Sequence, residues 1–207
     1  MDTKETILHE AIELAADRGF ESVSIRDIAR ASGIRESSIY NHYAGKEAIL
    51  EAILTKFISY FDEMNPELDE DAALDEMGLD EFFSAGMSSL LAGVGDEQHY
   101  MKLWRVIAIE LHRNERVKEF YKTTLREAPM AFWEGIFLKM MDKGMIPRCD
   151  AHELAEEFFS YALLMFFEAF LVYYEEDPTF FSRMAGDRIA RHARFIVGKL
   201  HEKEAKE

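Results

Sequence analysis

A single cysteine, Cys149, stands among 207 residues. One thiol cannot close a disulfide framework or build a multi-cysteine zinc module, so a reducing compartment, the cytoplasm, is the expected home. Proline is scarce, with four residues, while hydrophobic residues make up 48%. That balance excludes a disordered chain. Positive charge is short as well. There are 24 Lys and Arg against 40 Asp and Glu, a net charge of -16. Such a chain does not bind polyanions over its whole surface. Long apolar runs are also missing. The longest, Phe158 to Tyr174, contains Glu168 and is flanked by Glu156, Glu157, Glu175 and Glu176. A membrane span needs about 20 apolar residues, usually with basic flanks on the cytoplasmic side. A buried helix is expected here, and no membrane partner. The N-terminus has Asp2 and Glu5 where a signal peptide carries cations.

Chemical signatures are missing too. No glycine-rich phosphate loop and no Gly-x-Ser-x-Gly elbow occurs. No Glu stands three residues before any of the seven His, which removes the paired Glu-x-x-His of di-iron bundles. Cys149 and His152 have a metal-like spacing, but two ligands are too few, and Asp150 between them reads as a helix N-cap. No enzyme activity, cofactor or metal is expected.

What is present is helical periodicity. Ile7, Leu8, Ala11, Leu14 and Ala15 recur at three- and four-residue steps, so residues 3–18 read as an amphipathic helix ended by Gly19. Further helices are expected over about 46–63, 79–93, 97–112, 114–143, 151–176 and 180–202, with no sustained strand alternation. Eight acids and no base lie between Asp62 and Glu76, with Pro66 inside and Gly78 after. This reads as a solvated acidic connector over 64–78, with room for one short helix.

Residues 19–47 hold two short helices around a glycine. Ser24 is a good N-cap and Asp27 completes a variant of the capping box. Val23 and Ile28 form a hydrophobic staple across the same start. Gly33 stops this helix, and a second is expected from Glu36 to Tyr43, with Ile39 and Tyr43 facing the core. Two short helices with a glycine turn, packed on a longer preceding helix, make a helix-turn-helix over about 24–43. Residues 22–47 carry Arg26, Arg30, Arg35 and Lys46 against Asp27, Glu36 and Glu47, a local excess of positive charge in an acidic chain. Ser37, Ser38, Tyr40, Asn41 and His42 can all bond phosphates or base edges. A plain three-helix packing unit would share the glycine turn.

The pattern Ser24, Asp27-Ile28-Ala29, Ala31, Gly33-Ile34, Tyr40, His42-Tyr43 and Lys46-Glu47 resembles the DNA-binding domain of the tetracycline-repressor (TetR) family. The resemblance covers about residues 3–63. It implies an all-α protein with a helix-turn-helix DNA-binding domain at 1–63 and a helical regulatory and dimerisation domain at 79–207. It further implies that Ser24, Tyr40, His42 and Lys46 meet DNA phosphates, contacts that set register without reading sequence. Base readout then falls to Arg35, Glu36, Ser37, Ser38 and Asn41. The family usually has a Ser near position 35, and here Arg35 replaces it. A cation at a helix N-terminus is mildly unfavourable, whereas Arg bidentate to guanine is the commonest specific base contact. Glu36 can accept from cytosine N4 or simply complement the helix dipole.

The rest of the chain supports a helical core. Leu103, Trp104, Ile107, Ala108 and Leu111 form one stripe, and Phe132, Trp133, Ile136, Phe137 and Met140 another. Residues 158–173 are apolar on most sides and must be buried on most sides. Residues 151–176 carry six acids and no Lys or Arg, and 179–200 carry five Lys or Arg against one acid. An acidic and a basic helix make a hairpin, and doubled about a two-fold axis they give a homodimer interface. A small lipophilic ligand is expected among Met101, Trp104, Ala108, Trp133, Phe137, Met165 and Phe166, with Glu110 or Glu168 as polar anchors. A tight core with paired carboxylates would look the same in sequence. The combined expectation is a dimeric transcriptional repressor, bound to a double-stranded DNA operator and released by an unidentified lipophile. The rival is a helical protein-interaction module that no longer binds DNA, for which the charge of -16 is the best support.

Overall fold

The computed structural model describes residues 2–64, 70–79, 81–86, 97–173, 176 and 180–204. Among these the chain is all-helical, with no strand. It divides into two compact units, residues 1–63 with 95–120, and residues 64–94 with 121–207.

The first unit opens with α1 (Thr3–Arg18), started by a capping box in which the Asp2 carboxylate accepts from Lys4 N–H and Glu5 reaches back to the cap. Its buried face is Ile7, Ala11, Ile12, Ala15 and Ala16. Gly19 leaves the helix at φ +83°, a region open to glycine and strained for other residues. A turn of 3₁₀ helix, Phe20–Ser22, leads to α2 (Ile25–Ala31). Both bonds of the Ser24–Asp27 capping box form, and Val23 and Ile28 are buried on either side of it. Gly33 (φ +68°) turns the chain into α3 (Glu36–Ile39).

α3 is shorter than the 36–43 helix that the sequence suggested. After Ile39 the backbone tightens into three-residue bonds, Asn41 N–H to Ser38 O and His42 N–H to Ile39 O. Tyr43 is drawn inward, where its hydroxyl donates to Lys4 O at 3.2 Å. The chain then enters α4 (Lys46–Met64). The unit is completed by α6 (Glu97–Glu110), which packs along α1, and α7 (Glu115–Phe120). Phe57 of α4 sits at its centre, with ring centroids 5.7 Å from Tyr100, 5.0 Å from Trp104 and 5.8 Å from Phe120. Burial holds the Tyr100 phenol well above the usual tyrosine pKa.

The second unit holds α5 (Glu70–Glu76), a short helical stretch at 81–86, α8 (Ala128–Asp142), α9 (Ala151–Phe167) and α10 (Phe180–Glu204). Residues 65–69 of the acidic stretch lie outside the described residues. Its later acids belong to α5 and pair with α8: Glu70 and Asp71 with Lys139 at 2.8 and 3.2 Å, and Asp75 with Lys143. Residues 87–93 of the expected 79–93 helix also lie outside the described residues.

Where sequence periodicity suggested unbroken helices, two wide π-helical turns occur, at Tyr121–Glu127 and Glu168–Val172. The first has a visible cause. Pro129 at the start of α8 has no N–H for the carbonyl four residues back, so the regular ladder is interrupted there. α9 packs against both α8 and α10. Its Phe158 ring lies 4.5 Å from Trp133, 5.7 Å from Phe137 and 5.3 Å from Phe83. Burying such aromatic side chains supplies a large share of a core this size.

Candidate nucleic-acid interface

Local forces build this surface. Ile28, Ala29, Ile39 and Tyr43 are buried, so α2 is held by its inner face on α1 and α3 on α2. With those positions fixed, α3 and the turn after it must present their remaining side chains outward. Arg35, Glu36, Ser37, Tyr40 and Asn41 are exposed, and Ser38 and His42 are half-buried. Tyr40 is 54% exposed, unusual for an aromatic residue with no other visible partner surface. These are donors, acceptors and one cation on one short segment.

The charges around them are held in place. Ser24 Oγ donates to Asp27 Oδ2 at 2.6 Å and accepts from Asp27 N–H at 3.1 Å. These bonds, with Arg18 and Arg30 nearby, hold the Asp27 carboxyl below the usual carboxylate range. Arg26 and Glu36 lie 3.5 Å apart across the α2–α3 turn, a pairing that sequence reasoning missed because the residues are ten apart. Arg35 takes the N-cap position of α3 with no side-chain cap bond. Lys46 Nζ donates to Glu21 O at 2.9 Å and lies 4.9 Å over the Phe20 ring. That leaves its remaining N–H donors at the edge of the same surface.

The residues suggested for a ligand fall into two groups. Met101, Trp104, Ala108 and Glu110 belong to α6 in the first unit. Met101 and Trp104 are buried there, Ala108 is half-buried, and Glu110 is fully buried with Oε1 accepting from Glu21 N–H at 3.3 Å. Trp133, Phe137, Met165, Phe166 and Glu168 belong to the second unit. Phe137, Met165 and Phe166 are buried, and Glu168 pairs with Arg188 at 3.1 Å. Arg188 also donates to the Tyr161 hydroxyl, 3.3 Å away. The described residues of this second unit carry exposed apolar side chains that periodicity alone did not single out. Leu164, Leu171, Val172 and Phe195 are exposed by 55, 42, 59 and 62%, and Phe132 and Leu138 of α8 by 46 and 47%. Among the described residues no helix is long and apolar enough to cross a membrane.

Fold and surface together define an all-helical protein with an N-terminal helix-turn-helix. Residues 7–53 match the family described as bacterial regulatory proteins, tetR family. The match spans the helix-turn-helix segment, which is thus similar to the DNA-binding domain of that family. The HTH-type transcriptional repressor KstR2 of Mycolicibacterium smegmatis is 35% identical over 57 residues, 28% of this chain and 28% of that protein. The chain thus matches little more than a quarter of that relative's length. Two solved structures share the fold over nearly the whole chain. Salmonella enterica GusR has a TM-score of 0.65 at 20% identity, covering 95% of each chain. The TetR-family transcriptional regulator PfmR of Thermus thermophilus has a TM-score of 0.63 at 19% identity, covering 92% of this chain and 96% of that one. KstR2 is named as a transcriptional repressor and PfmR as a transcriptional regulator.

Proposed function

We propose that this protein is a dimeric transcriptional repressor that binds an operator in double-stranded DNA and leaves it when a small lipophilic molecule binds. The observation that carries the reading is the outward face of α3 and its following turn, where Arg35, Ser37, Tyr40 and Asn41 are exposed over a buried Ile39 and Tyr43. Such a face fits a major groove. Ser24, Tyr40, His42 and Lys46 serve as phosphate contacts, and Arg35, Glu36, Ser37, Ser38 and Asn41 as base readers. A chain of net charge -16 needs such a local site, because its surface as a whole repels DNA.

Dimerisation is proposed through α9, α10 and the π turn between them. Isolated exposed apolar residues are ordinary, but four of the six described in the second unit, Leu164, Leu171, Val172 and Phe195, belong to these elements, and the other two, Phe132 and Leu138, to α8. Dimeric helix-turn-helix proteins bind two half-sites about one DNA turn apart. The ligand is proposed to sit in the second unit among Trp133, Phe137, Met165 and Phe166, with Glu168 and its partner Arg188 as polar groups. Its effect on DNA binding can be no larger than its differential affinity for the two states.

The rival reading, a helical interaction module, is separated by one experiment: selection of binding sites from random duplex DNA by the wild type and by Arg35→Ala. The repressor reading expects an enriched palindromic sequence for the wild type and relaxed preference at one base pair per half-site for the variant. No enrichment for the wild type favours the rival.

A further inference from the structure

We propose that His9, Glu13 and His99 form a binding site for a divalent transition-metal ion of the zinc class, joining the first helix of the DNA-binding module to α6. His9 and Glu13 stand four residues apart on α1, so they project from one face a single turn apart. His99 comes from α6, which packs along that face. One donor atom from each of the three residues lies within 4.8 Å of the others. The two imidazole rings are parallel to within 9°, with centroids 5.6 Å apart. All three side chains are half-buried, reachable from solvent yet held by their helices.

The donor chemistry is specific. Two imidazole nitrogens and one carboxylate oxygen suit zinc and its neighbours, not calcium or magnesium, which prefer all-oxygen sets. Three protein ligands leave a fourth tetrahedral position for water. Around a zinc ion with bonds of about 2.0–2.2 Å, tetrahedral donors lie roughly 3.4 Å apart. Closing from 4.8 Å needs side-chain movements of about an ångström, within the reach of half-exposed rotamers.

A cation already occupies one side of the cluster. Lys102 Nζ lies 2.7 Å from both Glu13 oxygens. It competes with a metal for the carboxylate. A dication that also gains two imidazoles can displace one ammonium, whose long stem swings to solvent. Tyr60 packs a tilted ring 5.8 Å from His99 and so limits how far that imidazole can turn away. The plainer role for Glu13, a helix-to-helix ion pair with Lys102 alone, makes opposite predictions.

The test is calorimetric titration of the chelator-stripped, full-length protein with Zn²⁺, repeated on His9→Gln, His99→Gln and Lys102→Gln. The expected result is one saturable site per chain. Each His variant should weaken it by at least the roughly 10–100-fold that loss of a mere supporting group causes. Lys102→Gln should tighten it, because the competing cation is gone. Co²⁺ in place of Zn²⁺ should show the visible absorption of a tetrahedral complex, lost in the His variants. Absence of saturable binding would overturn the site, as would binding unchanged in a His9→Gln, His99→Gln double variant of normal helical circular dichroism. If that double variant does not fold, Lys102→Gln decides: unchanged or weaker Zn²⁺ binding also overturns the proposal.

Discussion

The Oε1 atom of Glu110 accepts a hydrogen bond from the backbone N–H of Glu21 at 3.3 Å. Glu110 ends α6, and Glu21 lies in the 3₁₀ turn between α1 and α2. This one carboxylate therefore joins α6 to the segment that carries the helix-turn-helix. It is fully buried, and among the described residues its Oε2 has no partner. The turn is fitted closely to it. A Cβ built on Gly19 would stand 3.0 Å from Glu110 Oε1 and 3.0 Å from Ile109 Cγ2.

Gly19→Ala should therefore destabilise strongly. Gly19 lies at φ +83° and ψ 142°, a backbone region that costs an L-residue about 1–3 kcal/mol, and the two close contacts add to it. A loss of roughly 2 kcal/mol corresponds to a fall of about 4–8 °C in Tm for a chain of this size. Glu110→Ala should destabilise as well. It removes the acceptor of the Glu21 N–H and leaves a void where a fully buried side chain stood. Thermal melts by circular dichroism check both. A Gly19→Ala protein as stable as the wild type would show that the turn relaxes freely.

Much of the first unit was legible because its signals are local. Gly19 closes α1, Ser24 and Asp27 start α2, and Gly33 turns it into α3, all within a few residues of one another. The features that sequence did not reveal depend on distant partners. Periodicity finds the apolar face of a helix but not which element covers it. Thus Trp104 read as kin of Trp133 and Phe137, although Trp104 belongs to the core around Phe57 and the other two to the core around Phe158. In the same way His99 had no visible relation to His9 and Glu13. The Tyr121–Glu127 π turn was signalled by Pro129, but a repeat of three and four runs through it without a break.

The proposed dimer face makes a contrast between two α9 residues. Phe166 is only 7% exposed, so it belongs to the interior of its own unit. Leu164, two residues earlier, is 55% exposed. Leu164→Glu and Phe195→Glu should yield folded monomers, whereas Phe166→Glu should lose its fold. Sedimentation velocity with circular dichroism separates these outcomes. Dimers of full strength in the Leu164→Glu, Phe195→Glu double variant would move the interface elsewhere.

The Ser24–Asp27 capping box predicts an acid sensitivity. The Asp27 carboxyl is held below its ordinary pKa, chiefly by the Ser24 hydroxyl and backbone N–H. A carboxylate depressed in the folded state stabilises fully above its unfolded pKa of about 3.9, and that stabilisation is lost as pH falls through the lower folded value. Asp27→Asn should flatten this part of the stability profile between neutral and acid pH. Ser24→Ala removes the cap itself and should cost about 1 kcal/mol at neutral pH. Denaturant midpoints measured across pH check both, and an unchanged acid limb in Asp27→Asn would discount the capping box.

The central claim is that α3, its turn and Lys46 bind DNA. The most direct measurement is fluorescence anisotropy of labelled duplex DNA, taken from the region flanking the protein's own gene and titrated at several salt concentrations. Wild type and Lys46→Ala are compared on this duplex and on an unrelated one. The account predicts tighter binding of the flanking duplex by the wild type, with affinity falling steeply as salt rises. Lys46→Ala should weaken binding to both sequences alike and lower the salt slope by about one unit, as loss of one phosphate contact requires. Failure of the wild type to prefer either duplex at any salt, or an affinity and slope unchanged in Lys46→Ala, would contradict it.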